Sequence, residues 1–276
     1  MAANKQDPRY FKYSPFPKRQ CAVTGGTTSG VASFLTTSSN RITLNASTID
    51  PVVVTWANGF DPFPVDYAYK WTSNATNAWG PFAAGTYYLY IDYDPATDTV
   101  SYGSTTVVPN DDLIAPSHGA GVHWFDQTKY KMYESVAGVW TERIRVFVGE
   151  AISNGSSVTT LITYALNGFV RIAHFTVTTN QVYNKNHYLG STKATIYGYY
   201  NSVTGSMDTG SIPNGSSGYQ IGYGFYNASL YYSSRLIYTN RLSLSLRTGD
   251  SAIYHDITSY DYFTGATAEI YVVRNY

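Results

Sequence analysis

Residues 86–107 read TYYLYIDYDPATDTVSYGSTTV, and this stretch decides the fold class. From Thr86 to Asp94 aromatic or aliphatic residues alternate with others, Pro95-Ala96-Thr97-Asp98 supplies turn chemistry, and from Thr99 alternation resumes. Period-two alternation on both sides of a proline- and aspartate-bearing turn predicts a β-hairpin. Asp92, Asp94 and Asp98 fall at D-x-D-x-x-x-D spacing. The run lacks both the sharp-turn glycine and the terminal bidentate glutamate of a calcium loop, so it reads as a solvated hairpin turn.

The rest of the chain shares this character. Of 276 residues, 28 are tyrosine and 23 glycine, and aromatics make up 16%. Tyr, Thr, Val and Ile favour a pleated, half-buried surface, while the helix formers Ala, Leu, Glu and Lys are sparse. The expectation is an all-β protein of small β-sandwich and β-hairpin modules in series. Lysine plus arginine and aspartate plus glutamate number 18 each, for zero net charge with 13% charged residues, about half the ~25% of an average domain. A surface built to hold nucleic-acid phosphates is therefore not expected. Cys21 stands alone, so neither an internal disulfide nor a cysteine zinc cluster is expected. No 18-residue apolar run suggests membrane insertion, and the start of the chain lacks a signal-peptide core, so export by a signal is not expected. No cofactor and no metal site is read.

Residues 1–20 carry five basic residues and prolines at 8, 15 and 17, which disfavour a helix and suggest an extended arm. Tyr10, Phe11, Tyr13 and Phe16 are its candidate attachment residues, because a merely solvated tail has no need of aromatics. Residues 21–108 read as a β domain, with strands at RITLNAS (41–47) and PVVVTWA (51–57). GGTTSG (25–30) lacks the lysine and following helix of a phosphate loop. In residues 109–150, HWFDQTKYKMYESVAGVWTE reads as consecutive hairpins turning at Gln127-Thr128 and Gly138. Trp124 and Trp140 are expected to pack as a small core on adjacent strands, and His123 to be a hydrogen-bonded structural histidine. In RIRVFVGE, Arg143 and Arg145 alternate with Ile144, Val146 and Val148, which predicts a strand whose arginine face is wet.

Several pieces of this region, taken in order, resemble a recurrent module of tailed-bacteriophage fibre and host-recognition proteins. They are Ala115-Pro116, Gly121-Val122-His123-Trp124-Phe125-Asp126, Lys131-Met132, Trp140, and Arg145-Val146-Phe147-Val148-Gly149-Glu150. Upstream, Ala57-Asn58-Gly59-Phe60 and Tyr88-Leu89-Tyr90-Ile91-Asp92 are similar to the section preceding that module. Downstream, Tyr164-Ala165-Leu166-Asn167-Gly168 and Lys185-Asn186-His187-Tyr188-Leu189-Gly190 resemble the start of a C-terminal tip domain, and Ile270-Tyr271-Val272-Val273-Arg274 its last strand. The resemblance covers about residues 50–190. It implies a virion protein made in the host cytoplasm, intertwined as a homotrimer, attached to other tail proteins through its N-terminal region.

Residues 151–180 read as a connector and 181–276 as the tip. The tip holds 16 of the 28 tyrosines but two phenylalanines and no tryptophan. Tyrosine pairs a flat apolar face with a polar end, which suits a surface that meets water or a ligand. Tyr197, Tyr199, Tyr200, Tyr231, Tyr232, Tyr260 and Tyr262 are the candidate receptor-binding residues, with 201–218 and 255–265 as candidate loops. The expected partner is a host-surface glycan or outer-membrane protein. The same tyrosines could instead line a subunit interface in a purely architectural head-fibre, collar or tail-adaptor protein. Enzymatic cleavage of polysaccharide is the weaker reading. Close acid pairs fall in turns, no 20–50-residue repeat suggests a β-helix, and no G-x-S-x-G occurs. No catalytic residue is assigned.

Overall fold

The computed structural model describes residues 34–56, 67–112, 114–126, 128–129, 131–164, 169–191 and 194–204. Beyond these it describes 219–221, 226–227, 230–231, 235–238, 240–248, 254–256, 261–263 and 265–274. The arm with Tyr10, Phe11, Tyr13 and Phe16 lies outside the described residues, as do GGTTSG, Tyr232 and Tyr260. Every regular element described is a β-strand, and the strands form several small antiparallel sheets. The chain divides into two compact units between residues 168 and 169.

The first unit holds β1 (Leu35–Ser38), β2 (Arg41–Leu44), β3 (Val52–Trp56), β4 (Tyr67–Trp71), β5 (Ala75–Trp79), β6 (Ala84–Asp94) and β7 (Thr99–Thr105). It continues with β8 (His123–Asp126), β9 (Lys131–Val136), β10 (Val139–Arg143), β11 (Arg145–Asn154) and β12 (Val158–Thr163). They pair as β1-β2-β5, β3-β4, β12-β11-β6-β7 and β10-β9-β8. The hairpin read from residues 86–107 is β6–β7, closing at Asp94 opposite Thr99. The Asp94 carboxylate accepts from the Ala96 N–H and the Thr97 hydroxyl, both at 2.9 Å, and these bonds hold its carboxyl below the usual range. Asp98 sits at φ 52° and accepts from the Tyr93 hydroxyl at 2.9 Å. Two of the three clustered aspartates therefore build the turn, as the sequence suggested.

Alternation along β2, β3 and β6 points Ile42, Leu44, Val52, Val54, Trp56, Leu89 and Ile91 into one core, where Val148 and Ala151 of β11 join them. Burying each large side chain contributes roughly 1.5–3 kcal/mol. The core also takes tryptophans whose indole N–H groups are all satisfied. Trp56 donates to the Ile91 carbonyl at 3.0 Å, Trp71 to the Tyr102 hydroxyl at 2.8 Å, and Trp79 to the Gly103 carbonyl at 2.9 Å. In β11 the register against β6 slips between Phe147 and Gly149. A bulge there breaks strict alternation, so Phe147 and Val148 are both buried. Gly149 is required, because a Cβ would strike the Ile162 carbonyl of β12 and meet the Leu35 side chain at 3.1 Å.

The second unit holds β13 (Phe169–Thr178), β14 (Val182–Asn186), β15 (Ala194–Thr204), β16 (Tyr219–Ile221), β17 (Tyr226–Asn227) and β18 (Leu230–Tyr231). After them come β19 (Arg235–Tyr238), β20 (Ser243–Arg247), β21 (Tyr254–Asp256), β22 (Asp261–Phe263) and β23 (Gly265–Arg274). The sheets are β13-β23-β15-β16 and β14-β20-β19, with the pairs β17-β18 and β21-β22. Val170 and Ile172 of β13 pair with Val272 and Ile270 of β23, and all four are buried. Thr248 binds the two sheets of this unit at one end, donating to the Thr178 carbonyl at 2.7 Å and accepting from the Gln181 N–H at 2.8 Å. Residues 151–180 contain the end of β11, all of β12 and β13 through Thr178.

Candidate functional site

The three strands β8, β9 and β10 carry the clearest chemistry. Asp126 organises the first turn, its carboxylate accepting from the N–H groups of Thr128 at 2.9 Å and Lys129 at 3.2 Å. The second turn is Ala137-Gly138 at φ 49° and 78°, a two-residue hairpin connection of the kind that matches strand twist. Residues opposite one another share a face. The register pairs His123 with Glu134 on one face, and Trp124 with Tyr133 and Ser135 with Trp140 on the other. One face therefore gathers His123 and Glu134, and the other carries the aromatic rings together with Lys131 and Glu142.

The charged face closes on Arg145, the first residue of β11. Its Nε and Nη2 donate to the two Asp92 carboxylate oxygens at 2.6 and 2.7 Å, and Nη1 donates to Glu134 at 3.2 Å and to His123 Nε2. The guanidinium carbon lies 3.6 Å from the Tyr90 ring centroid, a cation–π contact. Arg143 adds a bond from Nε to Glu134 at 2.8 Å. Thus the wet arginine face expected of RIRVFVGE is corrected for Arg145, while Arg143 stays 38% exposed. Arg143 ends β10, Arg145 begins β11, and the Arg145 side chain is only 4% exposed. Its charge is tolerated because two carboxylates and an imidazole meet it there.

Accepting a bond from Arg145 fixes the imidazole of His123 as the neutral tautomer protonated on Nδ1. Burial and the neighbouring guanidinium push its pKa down to about 4, against the opposing pull of Glu134. Burial alone would raise Glu134, yet Arg145 and Arg143 hold it below the usual carboxylate range. Neither group is tuned to carry a proton near neutrality. The constellation is a lock between the β10-β9-β8 sheet and the β12-β11-β6-β7 sheet, and His123 is the structural histidine the sequence implied. Among the described residues no group of three or more His, Cys, Asp or Glu side chains suits a metal ion. Asp92, Glu134 and Arg145 escaped the sequence reading because strand pairing across 53 residues brings Asp92 to Arg145.

On the aromatic face Trp124 stacks on Tyr133, with ring centroids 5.8 Å apart and planes 26° apart, and lies 5.8 Å from Trp140. The two tryptophans pack as expected, but β9 lies between their strands, so the strands are not neighbours. His118 meets Trp140 edge-on at 4.9 Å. Lys131 and Glu142 pair at 2.8 Å along the same face.

The tip tyrosines fall on several elements of the second unit. On β15, Tyr197 is opposite Tyr271 and Tyr199 opposite Glu269, positions that alternate with the buried Ala268, Ile270 and Val272 of β23. Tyr200 is opposite Ala268. Tyr231 pairs with Tyr226, and Tyr262 with His255. Of the candidate loops, 201–204 belongs to β15, and the ends of 255–265 belong to β21, β22 and β23. Comparison of the chain with family models, with curated proteins and with solved structures finds no match.

Proposed function

We propose that this chain is a structural virion protein of a tailed bacteriophage, a tail-fibre or tail-tip component that binds the host surface, in the first place a glycan, through its second unit. The observation that carries this reading is the β15–β23 register. It sets Tyr197 opposite Tyr271 and Tyr199 opposite Glu269, register positions that alternate with the buried Ala268, Ile270 and Val272 of β23. Phenolic rings next to polar neighbours can stack on sugar rings while hydroxyl groups give direction. Each such contact is weak, and several copies per particle multiply it. The reading includes a homotrimer held to the tail by the N-terminal region, and scarce charge favours such subunit burial.

The test is adsorption of assembled particles that carry Tyr197→Ser and Tyr199→Ser. Normal assembly with adsorption reduced at least tenfold is the expected result. Unchanged adsorption by normally assembled particles would move the assignment to an architectural collar, head-fibre or adaptor role. Shortened chains after incubation of the purified protein with host polysaccharide would make it an enzyme.

A further inference from the structure

The chain is neutral overall, but its charges are not evenly spread. Residues 151–249 carry six lysines and arginines against one acid, Asp208. Three strands of the second unit gather part of this excess. β14, β19 and β20 contain no acidic residue, while β14 carries Lys185, β19 Arg235 and β20 Arg247. The β19–β20 register sets Arg235 directly opposite Arg247. Residues so placed in an antiparallel pair have Cβ atoms about 4.5–5.5 Å apart, and like charges there are destabilising. An oxyanion shared by two guanidinium groups turns that repulsion into charge-assisted hydrogen bonding.

The surroundings of Arg247 suit a ligand arriving from outside. Its side chain is exposed, and among the described residues no carboxylate pairs with it. Positions 243, 245 and 247 of β20 alternate with the fully buried Leu244 and Leu246, and so take the face turned away from the core. Register brings Val182, Asn184 and Asn186 of β14 opposite Arg247, Ser245 and Ser243, and all three β14 side chains are exposed. The Ser245 hydroxyl donates to Asn184 Oδ1 at 2.5 Å, which orients that amide and leaves its NH2 group to donate elsewhere. Val182, 59% exposed, adds apolar surface in the same row. Arginine forks match carboxylate and phosphate oxygens, while amide and hydroxyl groups beside an apolar patch suit the hydroxyls and ring face of a sugar. We infer that this outer face of the β14-β20-β19 sheet, centred on Arg247 with Arg235 opposite, binds an acidic polysaccharide through a carboxylate or phosphate carried on its sugars. A nucleic acid would call for a row of cations along its phosphates, whereas here one pair stands among neutral groups. The inference rests on the second unit being the glycan-binding part, and it names the class of glycan.

The test titrates the full-length protein into fluorescently labelled tetragalacturonate, a labelled phosphate-bearing oligomannose and labelled maltotetraose, and reads anisotropy. At least one acidic probe should bind saturably, about tenfold or more tighter than maltotetraose. Raising NaCl from about 50 to about 500 mM should weaken it, as a contact led by charge requires. The acidic probe that binds decides between carboxylate and phosphate. Arg247→Gln and, separately, Arg235→Gln should each weaken binding about tenfold or more without lowering the melting temperature, since each relieves a like-charge pair. Arg247→Lys, which keeps the charge but not the fork, should recover only part of the loss. Failure of both acidic probes to bind, equal binding of maltotetraose, or binding that survives Arg247→Gln overturns the inference. So does tighter binding of labelled duplex DNA, which would assign the pair to nucleic-acid phosphates. Tyr197 and Tyr199 lie on β15, in the other sheet. Lost adsorption of their serine variants without acidic-probe binding would sink the acidic ligand alone. Acidic-probe binding with unchanged adsorption would sink the receptor reading alone.

Discussion

Replacing Arg145 with methionine removes a guanidinium that donates to Asp92 through two atoms and also reaches Glu134 and His123. Methionine fills much of the volume, so the loss is electrostatic. Breaking one partner out of a buried ion pair costs about 3–5 kcal/mol when the orphaned charge stays dry. Asp92 and Glu134 are 30% and 21% exposed, so water can partly reclaim them, and the expected loss falls to about 2–3 kcal/mol. At about 4 °C per kcal/mol, that lowers the melting temperature by about 10 °C. Tryptophan fluorescence reads this cleanly, because every tryptophan lies in the first unit. Hydrogen exchange should show β8, β9 and β10 opening before β6 and β7. Adding Asp92→Asn to the variant should recover part of the loss, since one stranded charge is gone. A shift below about 2 °C, or exchange that rises evenly across the unit, would refute the lock.

Three further outcomes follow from the same geometry. His123 is held neutral with its pKa near 4 against 6.5 for the free side chain, so the unfolded chain takes up the proton first. First-unit stability should be full above pH 6.5 and decline as pH falls towards 4, by up to ~3 kcal/mol. Urea midpoints at pH 7.0, 5.5 and 4.5 would show a slope that His123→Gln flattens. Gly149→Ala drives a methyl into the Ile162 carbonyl, and should cost about 1–3 kcal/mol in a urea titration, whereas Gly138→Ala meets open space and suffers only from its φ of 78°. Asn40, in the β1–β2 turn, donates to the Phe82 carbonyl at 2.5 Å and accepts from the Ser153 hydroxyl at 2.8 Å. Asn40→Ala should cost about 1–3 kcal/mol by leaving those groups unpaired, visible as a matching drop in the fluorescence-detected melt.

Local alternation made the strands legible. TYYLYIDYD, PATD and TVSYGSTTV became β6, a turn and β7 because each residue's preference agreed with its final place. HWFD and KMYESVAGVWTE became β8 to β10 for the same reason. What the sequence concealed is the pairing of strands far apart in the chain. Arg143 and Arg145 look like one wet face until Ile144 is seen to separate two strands, and nothing local marks Asp92 as the partner of Arg145. The bulge at Gly149 hides as well, since only the Ile162 carbonyl explains that glycine. The aromatic face was half legible. Two tryptophans were expected to pack, but that the Trp140 indole lies opposite Ser135, with no acceptor among the described residues, emerges only from the β9–β10 register.

The central claim is adhesion at the far end of a tail appendage, and position in the particle tests it most directly. Cryo-electron microscopy of virions carrying this chain, with a gold label at its C-terminus, should place the label at the free tip of a fibre, in threefold arrangement. A label inside a packed collar or head ring, or absence of the chain from purified virions, would contradict the account.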